Sequence, residues 1–247
     1  MDETDDYVVV DKPPFLLIHP TRPNGARTLW GELRQLLAFE LANGGQVSIV
    51  NRLDRETSGL VLVAKTAAAA RRFGLLMQAQ QLHKEYLAIV WGWPDWDRKT
   101  VDAPLARQGA HGSSAIWLKQ AIHPAGAEAI TEFVVERSFR RASSAGEQFA
   151  IVRAIPRTGR THQIRVHLAS LGHPVLGDKI YGPDERLYLR FIETGWTAEL
   201  AQALLLPRHA LHSATLSQNG GKTWSSPLPP DLADWISGET SAGAASV

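Results

Sequence analysis

Residues 49–65 read IVNRLDRETSGLVLVAK and place one carboxylate, Asp54, between two arginines, Arg52 and Arg55. The apolar run LVLVA follows at once. An unbroken apolar run, unlike an alternating one, predicts a central strand that is covered on both faces. Asp54 is therefore expected in a loop that enters a buried strand, and loops held by a rigid scaffold often carry functional residues.

Asp54 allows two interpretations. An Asp beside arginines is most often part of a structural ion pair. Positive neighbours also favour the ionised carboxylate, which suits a nucleophile or a base better than a general acid. Thr57 and Ser58 are candidates to cap or line the loop, and Gly59 is a candidate to relieve a tight backbone.

The remaining sequence predicts a mixture of strands and helices without strict βαβ alternation. Strands are predicted at 7–13, 46–50, 60–65, 84–92, 129–139 and 147–156, helices at 29–45, 67–81, 161–172, 185–196 and 198–206, and a hairpin at 209–226. A turn is predicted at 23–28, and no element is assigned within 91–129. We therefore expect an α+β fold with a mixed or mostly antiparallel central sheet and flanking helices.

The segment TGRTHQIRVHLASLG, residues 158–172, predicts a short helix. Ile164, Leu168 and Leu171 recur at i, i+4 and i+7, which is one helix face. Thr161 is the predicted N-cap, and Gly172 is the predicted C′ residue.

Basic residues concentrate in residues 148–177, although the formal net charge of the chain is only +1. This segment has no Asp or Glu and contains three histidines together with Arg153, Arg157, Arg160 and Arg165. A local basic patch on a near-neutral protein indicates a defined anionic ligand. The alternative is a basic face that contacts only solvent.

Composition excludes several classes of site. The 247 residues include no cysteine, so disulfides and cysteine-based zinc sites are excluded and a reducing compartment is expected. The acidic N-terminus lacks the features of a signal peptide, and no apolar run approaches the length of a membrane helix; we expect a cytoplasmic protein. Phosphate-binding glycine motifs and a nucleophile elbow are also missing, which predicts that no nucleotide cofactor is used.

Four further residues attract attention before any resemblance is considered. His162 and His167 are five residues apart, without the i, i+4 spacing of a helical metal site, so no metal is predicted. Arg165 shares a helix face with His162 and needs an anionic partner, which Asp54 or a phosphate could provide. Tyr86, at the entry to a predicted strand, reads most simply as a core tyrosine.

Three blocks of sequence, in this order, resemble the RluA family of pseudouridine synthases. They are NRLDRETSG (51–59), KEYLAIVWG (84–92) and GRTHQIRVHLASLGHPVLGDKIYG (159–182), and DKPPFLLIHP (11–20) and RHALHSATL (208–216) resemble the outer motifs of the family. The resemblance implies a catalytic domain over residues 1–237, with two lobes around a basic cleft and without the small N-terminal RNA-binding domain of some relatives. Residues 238–247 are expected to be a disordered tail.

The resemblance also implies a reaction, the isomerisation of uridine to pseudouridine in ribosomal or transfer RNA by a monomeric enzyme without a cofactor. The uracil base is cut from C1′ at N1, rotated and rejoined through C5. By the same resemblance Asp54 is the essential residue, and attack on C1′ and proton removal from C2′ both stay open. Tyr86 would stack on the target base and assist proton removal at C5, and Arg165 would pair with Asp54.

The same blocks provide the candidates for RNA binding. Arg52 would hold the target base out of the RNA stack, since a stacked uridine cannot react, and Ile164 would pack in the pocket. The remaining RNA-binding candidates are Arg55, Lys84, Arg160 and His162.

One residue departs from the pattern of the family, which has His where this chain has Asn51. We expect Asn51 to support the loop or contact RNA. Two other functions remain to be weighed. One is an RNA-binding module without catalysis, and the other is a hydrolase that would need a second carboxylate, for which Glu56 and Asp178 are the candidates.

Overall fold

The computed structural model describes residues 2–21 and 27–238, and the chain divides into two compact units. The first unit comprises Met1–Glu85 and His212–Pro227, and the second comprises Tyr86–Leu211 and Leu228–Val247. Most of the turn predicted at 23–28 lies outside the described residues, as does the predicted tail after Gly238.

The first unit is built on one sheet with three helices. Its elements are β1 (Asp2–Glu3), β2 (Tyr7–Lys12), α1 (Leu29–Leu36), α2 (Ala38–Ala42), β3 (Ser48–Ile49), β4 (Ser58–Ala64), α3 (Ala67–Gln78), the start of β5 (Leu82–Trp91), and, late in the chain, β11 (Leu211–Gln218) and β12 (Thr223–Ser225). The strand order is β1-β2-β4-β11, with β3 paired to β4 and β12 paired to β11. Strand β11 runs parallel to β4, and the other pairs are antiparallel.

Strand β4 is the centre of this sheet, and all seven of its residues are buried, which confirms the strand predicted from the apolar run. One edge of β4 pairs with β2 along its length. The other edge is shared, because β11 pairs with Ser58 and Gly59 while β3 pairs with Val63 and Ala64. Gly59 has φ +109°, and a Cβ there would lie 2.3 Å from the carbonyl oxygen of Ser213 on β11. Only glycine fits so close to a neighbouring backbone.

Two helices occupy the region where one was predicted over 29–45. Helix α1 begins after Thr28, whose hydroxyl accepts an N–H from Gly31 at 3.1 Å, and it ends at Leu36. Leu37 leaves helical geometry, and α2 follows directly. Helix α3 matches the predicted helix, and its buried Phe73 packs with Leu60 and Leu62 of β4.

The second unit contains an antiparallel sheet, a small two-stranded sheet and four helices. After the end of β5, its elements are β6 (Arg98–Asp102), β7 (Leu105–Arg107), β8 (Gln120–Ile122), β9 (Ile130–Arg140), β10 (Gln148–Pro156), α4 (Gln163–Ser170), α5 (Arg186–Thr194), α6 (Ala198–Leu204) and α7 (Pro230–Ser237). The main sheet has the order β5-β10-β9-β6, and β7 pairs with β8. The pairing of β9 with β10 confirms the two strands predicted around residues 140–147.

Helix α4 begins one residue later than predicted. Its N-cap is His162, in the left-handed region at φ 58°, so the prediction of Thr161 as N-cap was wrong. The predicted C′ residue is confirmed, because Gly172 has φ +81°. The N–H groups of Gly172 and His173 donate to the carbonyls of Ala169 and Leu168, which is the Schellman arrangement.

The last helix, α7, is fixed to the second unit by rings and one buried ion pair. The ring of Trp235 lies 4.9 Å from that of Phe149 in a perpendicular arrangement. Arg208 is fully buried and donates two hydrogen bonds, at 2.6 and 3.0 Å, to the carboxylate of Asp231 on α7. These contacts join the end of the described chain to β10 and to the segment before β11.

These elements confirm the α+β class and the mixed sheet. The parallel pairing of β4 with β11 makes the first unit mixed, whereas the main sheet of the second unit is antiparallel. Within residues 2–21 and 27–238, no helix combines the length and the apolar character needed to cross a membrane.

Candidate active site

The loop that carries Asp54 leaves the sheet at a gap in the hydrogen-bond ladder of β4. Between the part of β4 that pairs with β11 and the part that pairs with β3, the side chain of Asn51 provides the missing bonds. Its Nδ2 donates to the carbonyl of Leu60 at 3.0 Å, and its Oδ1 accepts the N–H of Leu62 at 2.8 Å. An amide side chain has the donor and acceptor of a peptide group, so it can continue a strand ladder. Asn51 therefore supports the loop.

A buried ammonium group holds the other side of the same loop. Lys12, at the end of β2, is fully buried. Its Nζ donates to the carbonyls of Pro13 at 2.8 Å, Leu16 at 3.0 Å and Arg55 at 3.2 Å. The bond to Arg55 ties the residue after Asp54 to the N-terminal segment. Sequence reasoning missed Lys12, although its place in DKPPFLLIHP was a signal.

Asp54 itself is half-buried, and the arginines on either side of it are exposed. The carbonyl of Asp54 accepts the N–H of Thr57 at 3.2 Å, which closes a turn before β4. Arg55 lies 3.4 Å from Glu56 in an exposed ion pair. Arg52 and Arg55 therefore face solvent, as expected of side chains that could meet RNA.

Tyr86 and Lys84 lie on the same face of β5, two residues apart. Both are buried, each with 8% of its surface exposed. Burial lowers the pKa of the Lys84 ammonium. Tyr86 is opposite Ala154 of β10. The alternating burial along β5 fits the core-tyrosine interpretation, and the RNA contact predicted for Lys84 stays a prediction.

Arg165, on α4, is buried and forms a bidentate pair with Asp178. Its Nε lies 2.6 Å from Oδ2 and its Nη2 lies 2.8 Å from Oδ1. The guanidinium also lies over the ring of Tyr181, 5.0 Å from the centroid. The pairing of Arg165 with Asp54 stays a prediction. The sequence suggests Asp178 only as a candidate second carboxylate of a hydrolase, and residue spacing gives no signal for its role as the partner of Arg165.

Asp178 is held ionised although it is completely buried. Burial alone would raise the pKa of this carboxyl, but the charge and hydrogen bonds of Arg165 lower it well below its usual range. The charge of His209 and the N–H of Ile180 act in the same direction. Oδ1 also accepts the N–H of Tyr181, at 3.1 Å. The carboxylate thus links α4 to the segment 178–181.

His162 stands at the N-terminal end of α4, next to this ion pair. Its Nδ1 lies 2.8 Å from the hydroxyl of Tyr181, and the two rings are nearly perpendicular. The same hydroxyl accepts the backbone N–H of Gln120 at 2.8 Å. Tyr181 therefore contacts His162, Arg165 and the start of β8 at once.

Gln163 fixes the turn that precedes α4, and sequence reasoning also missed it. Its Oε1 accepts from the hydroxyl of Thr158 and the N–H of Arg160, and its Nε2 donates to the carbonyl of Ile130 and the hydroxyl of Thr131. Arg160 is exposed and donates from Nε to the carbonyl of Glu128 at 2.9 Å.

The basic segment 148–177 is less cationic in the structure than in the sequence. Arg153 pairs with Glu136 of β9 at 2.5 Å, and Arg157 lies 3.8 Å from Glu132. His167 is buried between the hydroxyl of Thr131 and the carbonyl of Ala103, and burial lowers its pKa. Antiparallel pairing brings acidic residues of β9 beside β10, which residue counts cannot reveal.

The described contacts therefore form two groups. In the first unit, Lys12 and Asn51 hold the loop of Asp54. In the second unit, Asp178 and Tyr181 hold Arg165 and His162, and Ile164 is buried on the same helix. Within residues 2–21 and 27–238, no group of three or more His, Cys, Asp or Glu side chains could hold a metal ion.

Comparison with known families and proteins gives a consistent result. The RNA pseudouridylate synthase family matches residues 6–170. The chain is 36% identical over 239 residues to ribosomal large subunit pseudouridine synthase D of Nitrosomonas europaea, and this match covers 94% of the chain and 62% of that protein. The protein of the same name from Pseudomonas aeruginosa is 35% identical over 236 residues, with 93% of the chain and 68% of that protein covered. The chain thus spans about two thirds of these relatives.

Solved structures agree on the fold. Human RNA pseudouridylate synthase domain containing 1 is 26% identical, with a TM-score of 0.65 over 94% of this chain and 84% of that one. Human RNA pseudouridylate synthase domain containing 4 has a TM-score of 0.71 at 24% identity, over 96% of this chain and 90% of that one.

Asp178→Asn should destabilise the second unit strongly and in a pH-dependent way. The amide keeps an acceptor for the N–H groups of Ile180 and Tyr181 but removes the charge that Arg165 contacts. Removing one partner of a buried pair costs about 3–5 kcal/mol. The pKa of Asp178 is lowered by folding, so its contribution is complete above the ordinary carboxyl pKa of 3.8 and is lost as the pH falls towards the folded-state value.

Urea unfolding of the wild type and of Asp178→Asn across the acid range checks this expectation. The difference in free energy of unfolding should be large at neutral pH and shrink below about pH 4. Asp184→Asn is the matched control, because it removes an exposed carboxylate that pairs with Arg186, and its effect should be small at every pH. A difference between wild type and Asp178→Asn that does not change with pH would contradict the assignment.

Asn51→Asp should loosen the loop of Asp54 while leaving the rest of β4 intact. The carboxylate can still accept the N–H of Leu62 but cannot donate to the carbonyl of Leu60. We expect a loss of about 1–3 kcal/mol in the free energy of unfolding and faster proteolytic cleavage within 50–57. Ser213→Ala is the control, since it removes only a longer bond of 3.4 Å to the same carbonyl. Equal protease resistance of Asn51→Asp and the wild type would show that the amide does not hold the loop.

Proposed function

We propose that this chain, which belongs to the RNA pseudouridylate synthase family, converts uridine to pseudouridine at one or more sites of ribosomal RNA. The observation behind this proposal is the family match over residues 6–170, which includes the Asp54 loop and all of α4. The name of these relatives, ribosomal large subunit pseudouridine synthase D, favours large-subunit ribosomal RNA over transfer RNA as the substrate. A cytoplasmic location and a monomeric state stay predictions.

The reaction that we propose is balanced within the nucleotide. The bond between N1 and C1′ breaks, the uracil turns, and a bond forms between C5 and C1′. The proton on C5 is removed, and N1 gains a proton, so the composition of the RNA does not change. Such an isomerisation needs no oxidant, reductant or energy donor.

Asp54 is the proposed catalytic residue. Its half-buried position, in a loop fixed by Lys12 and Asn51, supports a carboxylate held in one place for the reaction. Two roles are compatible with a single carboxylate: attack on C1′, as in retaining glycosidases, or removal of the proton on C2′.

The other proposed residues act on the base, on Asp54 or on the RNA backbone. Tyr86 stacks on the uracil and assists removal of the C5 proton, and Arg165 orients Asp54. The ion pair with Asp178 supports the role proposed for Arg165, because a bidentate carboxylate fixes the plane of the guanidinium. Arg52, Arg55, Arg160 and His162 are proposed to contact RNA, together with the buried Lys84 and Ile164.

Extrusion of the uridine is the energetic problem that RNA contacts must solve. The base has to leave the stack, which costs a few kcal/mol. An arginine plane or an aromatic ring can replace the lost stacking. The exposed Arg52, beside Asp54, is the proposed residue for this step.

Asp54→Asn should abolish pseudouridine formation without affecting folding or RNA affinity. Loss of a catalytic nucleophile or base reduces kcat by at least about a thousandfold. Activity is measured as tritium release from an unmodified large-subunit RNA transcript labelled at C5 of uridine. The free energy of unfolding and the Kd for the transcript should match those of the wild type. Appreciable turnover by the variant would exclude Asp54 as the catalyst.

Glu56→Gln is the control in the same loop, and it also separates the proposal from a hydrolase. We expect this variant to retain activity, because only one carboxylate is required. A hydrolase would release free uracil, which chromatography of the reaction mixture detects. An RNA-binding module without catalysis would bind the transcript and release neither tritium nor uracil.

Arg165→Met combined with Asp178→Asn should separate stability from activity. The single variant Arg165→Met leaves Asp178 buried without its cationic partner and should lose about 3–5 kcal/mol. Replacing both partners removes the buried charges and should recover most of this loss. The double variant should nevertheless stay inactive in the tritium assay, because it lacks Arg165, the residue proposed to orient Asp54. Recovery of activity together with stability would show that the pair has only a structural role.

A further inference from the structure

The small sheet formed by β7 and β8 presents exposed rings on a rigid base. Leu105 pairs with Ile122 and Arg107 pairs with Gln120. Gln108 extends this ladder, since its N–H donates to the carbonyl of Lys119 at 2.9 Å. The segment between the two strands includes a 3-10 turn at Gln108–Ala110.

This segment is anchored to the helix that carries Arg165. Leu105 and Ile116 are buried in one cluster with Val166 of α4 and with Tyr181. The N–H of Gln120 donates to the Tyr181 hydroxyl, and Lys119 forms an ion pair with Glu185. Exposed side chains on this segment therefore have a fixed backbone beneath them.

Trp117 is an exposed ring on the segment, with 77% of its surface in solvent. The guanidinium of Arg107 lies 3.7 Å from the centroid of the indole, a close cation–π contact. A side chain with so much apolar surface gains nothing for folding when it is left in water. Held by Arg107, it offers a flat surface on which another ring could stack.

A pair of stacked rings lies beside the same small sheet, on the residues that follow the 3-10 turn and β8. The imidazoles of His111 and His123 are 3.9 Å apart and inclined by only 15°. His123 is oriented by the N–H of Ala125, which donates to Nδ1 at 3.2 Å. The two rings line a pocket of about 240 Å³ together with Ala106, Arg107, Gln108, Gly112 and Ala121.

The segment itself has basic groups and no acidic ones, and one of its cations, Lys119, is paired with Glu185 outside the segment. Residues 103–127 contain no Asp or Glu, and they contain Arg107, His111, Lys119 and His123. Positive charge combined with exposed planar rings is the combination that binds single-stranded nucleic acid, because phosphates meet the cations and bases stack on the rings. The carboxylates of an acidic peptide would use the charge, but they have no ring that could stack on Trp117.

We propose that residues 105–123 form a second RNA-contact surface, separate from the residues of the proposed chemistry. It binds an unpaired stretch of the RNA substrate by stacking a base on Trp117 and placing phosphates beside Arg107 and the His111–His123 pair. A metal site is a poor alternative, since no third ligand joins the two histidines in any metal-binding group of the described residues. The inference rests on the proposed function, because it assigns a further contact to the same substrate.

The test measures the Kd of the full chain for a fluorescein-labelled, single-stranded oligoribonucleotide and the KM and kcat for the large-subunit transcript. Loss of one stacked base corresponds to about a five- to hundredfold weaker affinity. Trp117→Ala should therefore raise Kd and KM by a factor in that range and leave kcat unchanged. Trp117→Phe should restore most of the affinity, because a smaller ring still stacks.

Arg107→Gln tests the electrostatic part. It should weaken binding and reduce the slope of log Kd against log salt by about one, whereas Trp117→Ala should leave this slope unchanged. Trp196→Ala is the matched control, as another exposed tryptophan of the second unit beside a cation, Lys179. Its Kd and KM should equal those of the wild type. Urea unfolding of each variant shows whether a change in Kd reflects folding.

Each result then has a defined meaning. Wild-type Kd and KM for both Trp117→Ala and Arg107→Gln would overturn the inference while the proposed function stands. Equal weakening of binding to heparin, a polyanion without bases, by Trp117→Ala would also overturn it, because stacking would then play no part. Loss of RNA affinity in Trp117→Ala, together with a wild-type chain that forms no pseudouridine, would support the surface and refute the proposed function.

Discussion

Strand β4 is buried along its whole length, so its backbone N–H and C=O groups must all find partners inside the protein. On the edge of β4 that faces away from β2, the parallel strand β11 pairs with the first residues and the short β3 pairs with the last. The side chain of Asn51 forms hydrogen bonds with the backbone of the residues between them. This solution allows the main chain to leave the sheet at residue 51 and to form the loop that carries Asp54. The position of the candidate catalytic residue thus follows from the hydrogen-bond requirement of a buried strand.

The local features of the fold were predictable from the sequence, because each has a short-range signal. The apolar run at 60–64 predicted β4, the pairing of 129–139 with 147–156 predicted β9 and β10, and Gly172 predicted the end of α4. Asp54, Tyr86 and Arg165 are noticeable in the sequence itself, but their proposed roles come from the family resemblance and from no spacing rule. The wrong prediction of the N-cap of α4 has a local cause. Thr161 has the hydroxyl of an N-cap residue whether or not His162 adopts the left-handed conformation that precedes the helix.

The partners of charged residues could not be predicted in the same way. Asp178 is thirteen residues from Arg165, and Arg55 is forty-three residues from Lys12, so neither contact follows a helix or strand period. The charge of the basic segment 148–177 could not be predicted for the same reason. Glu132 and Glu136 of β9 approach its arginines only because β9 pairs with β10. Counting charged residues along the chain gives the net charge of a segment, whereas binding depends on the net charge of a surface. The two differ because tertiary pairing brings residues of other segments to the same surface.

Burying the charges of Arg165 and Asp178 has a thermodynamic cost, so their presence in the core needs an explanation. An apolar pair of the same volume in place of Arg165 and Asp178 would stabilise a fold equally well or better. The charged pair offers something an apolar pair cannot, because two hydrogen bonds define the orientation of the guanidinium as well as its position. The proposed isomerisation needs neither redox chemistry nor an energy donor, so its rate would come from placement and electrostatics. A rigid, ionised pair beside the start of α4 is therefore better explained by a requirement to orient Arg165 than by stability.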